Sequence, residues 1–198
     1  MTSILTGDII NSRTHDAKDW LTHLKAELNL YGQSPKQWEI YRGDSFQVEI
    51  NPKHALKAAI LIKASLKQFK SIDVRIAIGL GEKTYDANTI TESNGSAFIN
   101  SGECFEQLKK TNLAIKSDDT TFDTSINIML ELALLTMNTW TPTTAALVKL
   151  ALTHPEANQK DLAAETQSTQ GNISQGLKRA GYDEILKMIQ FYSKHVNV

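Results

Sequence analysis

Two aspartates stand beside glycines in apolar, β-prone surroundings: Asp8 in SILTGDIINSR (Ser3–Arg13) and Asp44 in IYRGDSFQVEI (Ile40–Ile50). If they converge, they form a paired-carboxylate site. Such a pair suits Mg²⁺ or Mn²⁺, whose remaining coordination positions go to water and phosphate oxygens. Without a cation the like charges repel, and one carboxyl is then disposed to keep its proton. The alternative is local, because aspartate beside glycine commonly caps a turn. Arg42-Gly43-Asp44 also spells a tripeptide linked with cell adhesion, but three letters recur by chance and carry little specificity. Cys104 is the only cysteine, so no internal disulfide forms, which favours a reducing, cytoplasmic setting. His15, His23, His54, His154 and His195 lie far apart and lack metal-ligand spacing.

The elements that must position the aspartates follow from periodicity. Ser3–Ile10 reads as a strand, and Asp16 can cap a helix reaching Leu30, with Trp20, Leu21, Leu24 and Leu28 at helical spacing. Gly32–Pro35 supplies a turn. Trp38–Arg42 and Phe46–Ile50 read as a hairpin around Gly43-Asp44. Pro52 opens a helix to Phe69, with an apolar face and lysines opposite. Asp73–Glu82 alternates as a strand, a polar loop runs to Asn94, Ala97–Lys110 is helical, and Leu113–Lys116 closes the set. The order βαββαβ, with one further αβ unit, predicts an antiparallel-mixed sheet with helices packed on one face.

Thr121–Asn138 carries Phe122, Ile126, Met129, Leu130, Ala133, Leu134 and Met137 as a wide apolar stripe. Core packing explains it, and a dimer seam is the sharper alternative. Beyond Pro142 come helices over Thr143–His154, Gln159–Thr166, Gln170–Ala180 and Tyr182–His195, with Gln167-Ser168-Thr169 as the turn between the middle two. That layout predicts a helix-turn-helix. In a DNA-bound arrangement Thr169, Gln170, Asn172, Ser174 and Gln175 face base edges, while Lys178 and Arg179 sit near phosphates. Over residues 141–198 the basic side chains exceed the acidic ones by only one, so a single copy would bind feebly and a dimer would double the contacts.

At 198 residues and a formal net charge of −1, the chain can bury a good-sized core and exerts no bulk attraction on nucleic acid or membrane. No apolar run approaches the ~20 residues needed to span a bilayer. The first residues do not read as a signal peptide, since Asp8 and Arg13 interrupt them.

GDIINSR (Gly7–Arg13), RGDSFQ (Arg42–Gln47), RIAIGLGEKTY (Arg75–Tyr85) and NGSAFINSGE (Asn94–Glu103) fall in an order and spacing that resembles the bacterial SatD family. The βαββαβ order with aspartates at these places is also similar to class III nucleotide cyclases and diguanylate cyclases. The resemblance implies an α+β protein: a ferredoxin-like, nucleotide-cyclase-like domain over 1–118, a connecting or dimerisation helix over 119–140, and an all-α helix-turn-helix domain over 141–198. It implies a cytoplasmic homodimer that regulates through DNA. Asp8 and Asp44 are the implied metal ligands for Mg²⁺ or Mn²⁺, and Asn11, Arg42, Arg75 and Asn100 the implied nucleotide contacts. Cyclases place an arginine one helical turn after an asparagine in this region, to steady phosphate charge in the transition state. Here Asn100 is followed by Cys104, with Lys109 and Lys110 at a different helical phase. A thiol brings neither positive charge nor a five-donor fork, and losing such a group costs on the order of 10²–10³ in rate. A degenerate, ligand-responsive domain is therefore expected, with no catalytic residues assigned. An active nucleotide-processing enzyme and a scaffold that ignores DNA are the alternatives.

Overall fold

The computed structural model describes residues 1–109 and 111–196. Strand β1 (Thr2–Ile10) sends Leu5 and Ile9 into the main core and Ile4 into a separate cluster, as a two-residue period requires. Asp16 caps α1 (Ala17–Leu28) by accepting from Lys18 N, and Trp20, Leu24 and Leu28 fill its inner side. The hairpin forms as β2 (Trp38–Tyr41) and β3 (Ser45–Ile50). Its turn has φ of 54° at Arg42 and 90° at Gly43, and nothing lies within 4 Å of where a Gly43 Cβ would sit. Conformation, not space, therefore calls for the glycine. Asn51 caps α2 (Pro52–Leu66), with Pro52 in the first turn where its missing N–H costs little. Strand β4 (Asp73–Gly81), α3 (Ser96–Gln107) and β5 (Leu113–Lys116) follow. Lys110, the expected end of the third helix, lies outside the described residues.

The five strands are ordered β2-β3-β1-β4-β5, with β1 antiparallel to both β3 and β4, and β5 parallel to β4. The expectation of helices on one face is corrected. The α1/α2 layer covers Leu5, Ile9, Ile76 and Ile78, while α3 lies on the opposite face. There Ile4 meets Ala97, Ala77 meets Cys104, and the hydroxyls of Thr6 and Ser101 are 2.9 Å apart. The small residues of β4 admit this second layer. A Cβ on Gly79 would stand 2.2 Å from the Ala97 carbonyl oxygen.

Helix α4 (Thr120–Met137) runs along β5. The Asn127 amide donates to Ile115 O and accepts from Ile115 N, both at 2.9 Å, occupying the edge as another strand would. Ile126, Leu130, Leu134 and Met137 enter the core, whereas Phe122, Met129 and Ala133 are only partly buried. Four helices complete the chain: α5 (Pro142–Thr153), α6 (Gln159–Glu165), α7 (Gln170–Ala180) and α8 (Tyr182–His195).

These last helices are not tethered loosely. Helices α5 and α8 pack on α2, and one core runs from the sheet to Tyr192. The Tyr192 hydroxyl donates to Pro52 O at 2.8 Å, and Trp140 Nε1 donates to Ala180 O at 3.0 Å. Lys149 Nζ lies 2.6 Å from Glu27 Oε1 and donates to Ser65 Oγ at 3.1 Å. Helix α2 is consequently buried all round from Ala58 to Leu66, and the lysines opposite its apolar face are the exposed Lys53 and the half-buried Lys57. Lys63 is the telling residue: 1 % exposed, it reaches Asp73 Oδ1 at 2.6 Å. Burial still pulls its pKa below the ordinary lysine value, against the opposing pull of Asp73.

Candidate functional site

The two aspartates reach the same end of the sheet on adjacent strands. Asp8 lies opposite Ser45 across β1 and β3, and Ile9 N donates to Asp44 O at 3.0 Å. Their side chains have separate partners. Asp8 is also the register partner of Arg75 on β4, and the guanidinium grips both carboxylate oxygens, with Nε to Oδ1 at 2.9 Å and Nη2 on Oδ2. Arg75 is held further by the Leu108 carbonyl at 3.3 Å and by the Phe105 ring beneath it, 5.5 Å from centroid to Cζ. Its bonds to Asp8 raise its pKa further. Asp44 Oδ2 accepts from Ser12 Oγ at 2.8 Å. Tyr41, half-buried at the same end, has its hydroxyl pKa raised by burial first, with Arg42 opposing and Asp8 reinforcing.

This donor set bears on Mg²⁺ or Mn²⁺. Among the described residues no group of three His, Cys, Asp or Glu side chains gathers around a common point. A cation on Asp8 would have to displace a bidentate guanidinium. As arranged, the residues fit an ion pair rather than a resident metal.

The implied nucleotide contacts scatter. Asn11 takes the left-handed conformation (φ 60°) after β1, and its amide donates to Ser71 O at 2.8 Å. Asn100 is buried and donates to Leu80 O at 2.8 Å, tying α3 to β4. Arg42 is exposed on the hairpin turn. Cys104 faces Ala77 and Leu108, and burial pushes its thiol up to about 12.

The α7 face behaves differently. Ile173, Gly176, Leu177 and Ala180 are buried, and at 3.6 residues per turn they fall within an arc of about 100°. Gln170, Asn172, Ser174, Gln175, Lys178 and Arg179 are exposed on the remaining arc. Thr169, also exposed, caps the helix by accepting from Asn172 N at 3.2 Å. Leu162 and Ala163 of α6 and Ala151 of α5 close a small core with Ile173 and Leu177. The chain turns from α6 to α7 through Gln167, whose φ is 50°. A Gly176 Cβ would stand 2.6 Å from Leu147 Cδ2, so glycine lets α7 lie close on α5.

One surface escaped the sequence reading. Ile128, Leu132 and Leu135 of α4 are 54 %, 64 % and 74 % exposed, spaced i, i+4, i+7 on the outward side of the helix whose other side fills the core. Beside them a mostly apolar groove of about 640 Å³ lies between α4 and α8. The signal was present in the spacing but was hidden by the stronger inward stripe. No family model, curated protein or solved structure matches the chain.

Proposed function

We propose that the chain is a SatD-like regulatory protein that contacts duplex DNA through α7, with α6 and α7 acting as a helix-turn-helix. The observation that carries this is the division of α7 into one apolar arc and one polar arc. Among the described residues, Gln170, Asn172, Ser174, Gln175, Lys178 and Arg179 place no side chain in an internal hydrogen bond or ion pair, which leaves their donors and acceptors for base edges and phosphates. The order β1α1β2β3α2β4, with β1 antiparallel between β3 and β4, supports a ferredoxin-like, nucleotide-cyclase-like unit beneath it. A homodimer belongs to the same proposal. The outward stripe of Ile128, Leu132 and Leu135 is the apolar area two copies would share, and pairing would double the α7 contacts.

Random duplex DNA at low ionic strength, followed by fluorescence anisotropy, tests the proposal. The wild type binds with an affinity that falls as salt rises, and Lys178→Gln with Arg179→Gln weakens it and lowers the slope of log K against log salt by about 1.8. Absence of salt-dependent binding by the wild type overturns the proposal and favours a scaffold.

A second reading concerns the Asp8 end. A nucleotide arriving with its own Mg²⁺ would compete with Arg75 for Asp8, and the released guanidinium is a phosphate ligand. Calorimetry with Mg²⁺ and ATP or GTP tests this on the wild type and on Asp8→Ala with Asp44→Ala. Heat unchanged by the double substitution ends the sensing idea. Conversion of the nucleotide, read by chromatography and lost in Asp44→Ala, would instead favour an enzyme.

A further inference from the structure

The charge that the last four helices lack is supplied in space by another part of the chain. Lys53, His54 and Lys57, on the first turns of α2, share a groove of about 390 Å³ with Lys194 near the end of α8. No Asp or Glu lines it, and among the described residues none of these three lysines has an ion-pair partner. Lys53, His54 and Lys194 are exposed and Lys57 is half-buried, so the cations stand on an open surface rather than in a closed pocket. Leu152 and Pro155 form the wall, at the end of α5 and in the stretch leading to α6. The groove therefore adjoins the helices that carry α7.

We infer that this groove is a second nucleic-acid surface, one that takes the phosphate backbone of a duplex whose bases meet α7. The inference rests on the DNA-binding reading and adds to it. Hydrated ammonium groups on separate helices, without a rigid donor fork, suit the repeated charges of a backbone and release its counterions. The groove also answers the near-zero charge of residues 141–198, since its Lys53 and Lys57 come from before that segment. The packing of α5 and α8 on α2 brings the two sides of the composite surface together.

Titrating full-length protein with random duplex across a salt series tests this. At about 0.9 per phosphate contact, Lys53→Gln with Lys57→Gln and Lys194→Gln lowers the slope of log K against log salt by about 2.7. Removing equal charge elsewhere, by Arg13→Gln, Lys18→Gln and Lys25→Gln, leaves the slope unchanged. Should the half-buried Lys57 prove necessary for folding, the exposed pair Lys53→Gln and Lys194→Gln lowers it by about 1.8. A wild type that binds with a slope identical to the variant's overturns the groove while leaving α7 in place. A wild type that binds no duplex overturns both. Displacement of duplex by inorganic triphosphate, lost in the triple variant at matched ionic strength, assigns the groove to a small anion and overturns the backbone surface.

Discussion

The Asp8 end of the sheet and the exposed arc of α7 both carry side chains suited to phosphates, yet the two regions treat them oppositely. Asp8, Arg75, Asp44 and Asn100 each have a partner inside the molecule, and Asn100 is buried with its partner. Gln170, Asn172, Lys178 and Arg179 are exposed and free of internal side-chain partners among the described residues. A buried polar group must find a partner, so its hydrogen bond says little about ligands. A regular helix that keeps a complete polar arc unengaged leaves that arc for solvent or a partner. The residue types most suggestive of chemistry are thus the ones committed to the fold.

That contrast breaks first where internal pairing is strongest. Asp73 pairs with both Lys63 and Lys67, at 2.6 and 3.2 Å. Asp73→Ala strands a fully buried ammonium and is expected to cost about 3–5 kcal/mol in urea unfolding. A loss below about 1 kcal/mol would mean that Lys63 sheds its proton or finds water with little penalty. Next comes the link between α1 and α5. Glu27 is 3 % exposed and its Oε2 already lacks a partner, so Lys149→Met leaves the carboxylate unpaired at a cost of about 2 kcal/mol. Adding Glu27→Gln removes the stranded charge and should recover most of that loss.

Alkaline pH sharpens the contrast from another side. The Cys104 thiol is raised from 9.0 to about 12 by burial, so the native state keeps a proton that the unfolded chain releases. Stability consequently falls as pH rises from 9 towards 12, by up to about 1.4 kcal/mol per pH unit from this one group. Urea unfolding across that window should show a gentler decline in Cys104→Ala. A thiol reagent at pH 8 should label Cys104 only as fast as the protein opens, and immediate labelling would contradict its burial against Ala77 and Leu108.

Much of this was legible residue by residue, and the omissions share a cause. The strands and helices followed their periods, so Asp16 caps α1 and Pro52 opens α2 as their sequence neighbours suggest, and α7 and α8 keep the expected bounds. Local pattern could not assign Arg75 to Asp8, because register across β1 and β4 decides that pairing over 67 positions. Nor could it foresee α3 on the second face, which depends on Ala77 and Gly79 being small where they meet α3. Lys63 shares its helix phase with the buried Ala59, Ile60 and Leu66, and only the fold brings Asp73, at the start of β4, within its reach. The groove of Lys53, Lys57 and Lys194 joins residues more than a hundred positions apart.

The smallest expected effect is the most discriminating. Gln170→Ala, Asn172→Ala and Lys178→Gln each remove an exposed side chain without an internal partner, so each should change stability by no more than about 0.5 kcal/mol. Thr169→Ala is the control within the same helix, because its hydroxyl accepts from Asn172 N and losing a cap costs about 1 kcal/mol. If the three face variants lose DNA affinity while their urea midpoints stay at the wild-type value, the arc serves a partner and not the fold. If they destabilise as much as Thr169→Ala does, their side chains carry packing that the exposed arc does not account for. The opposition between the two regions would then collapse.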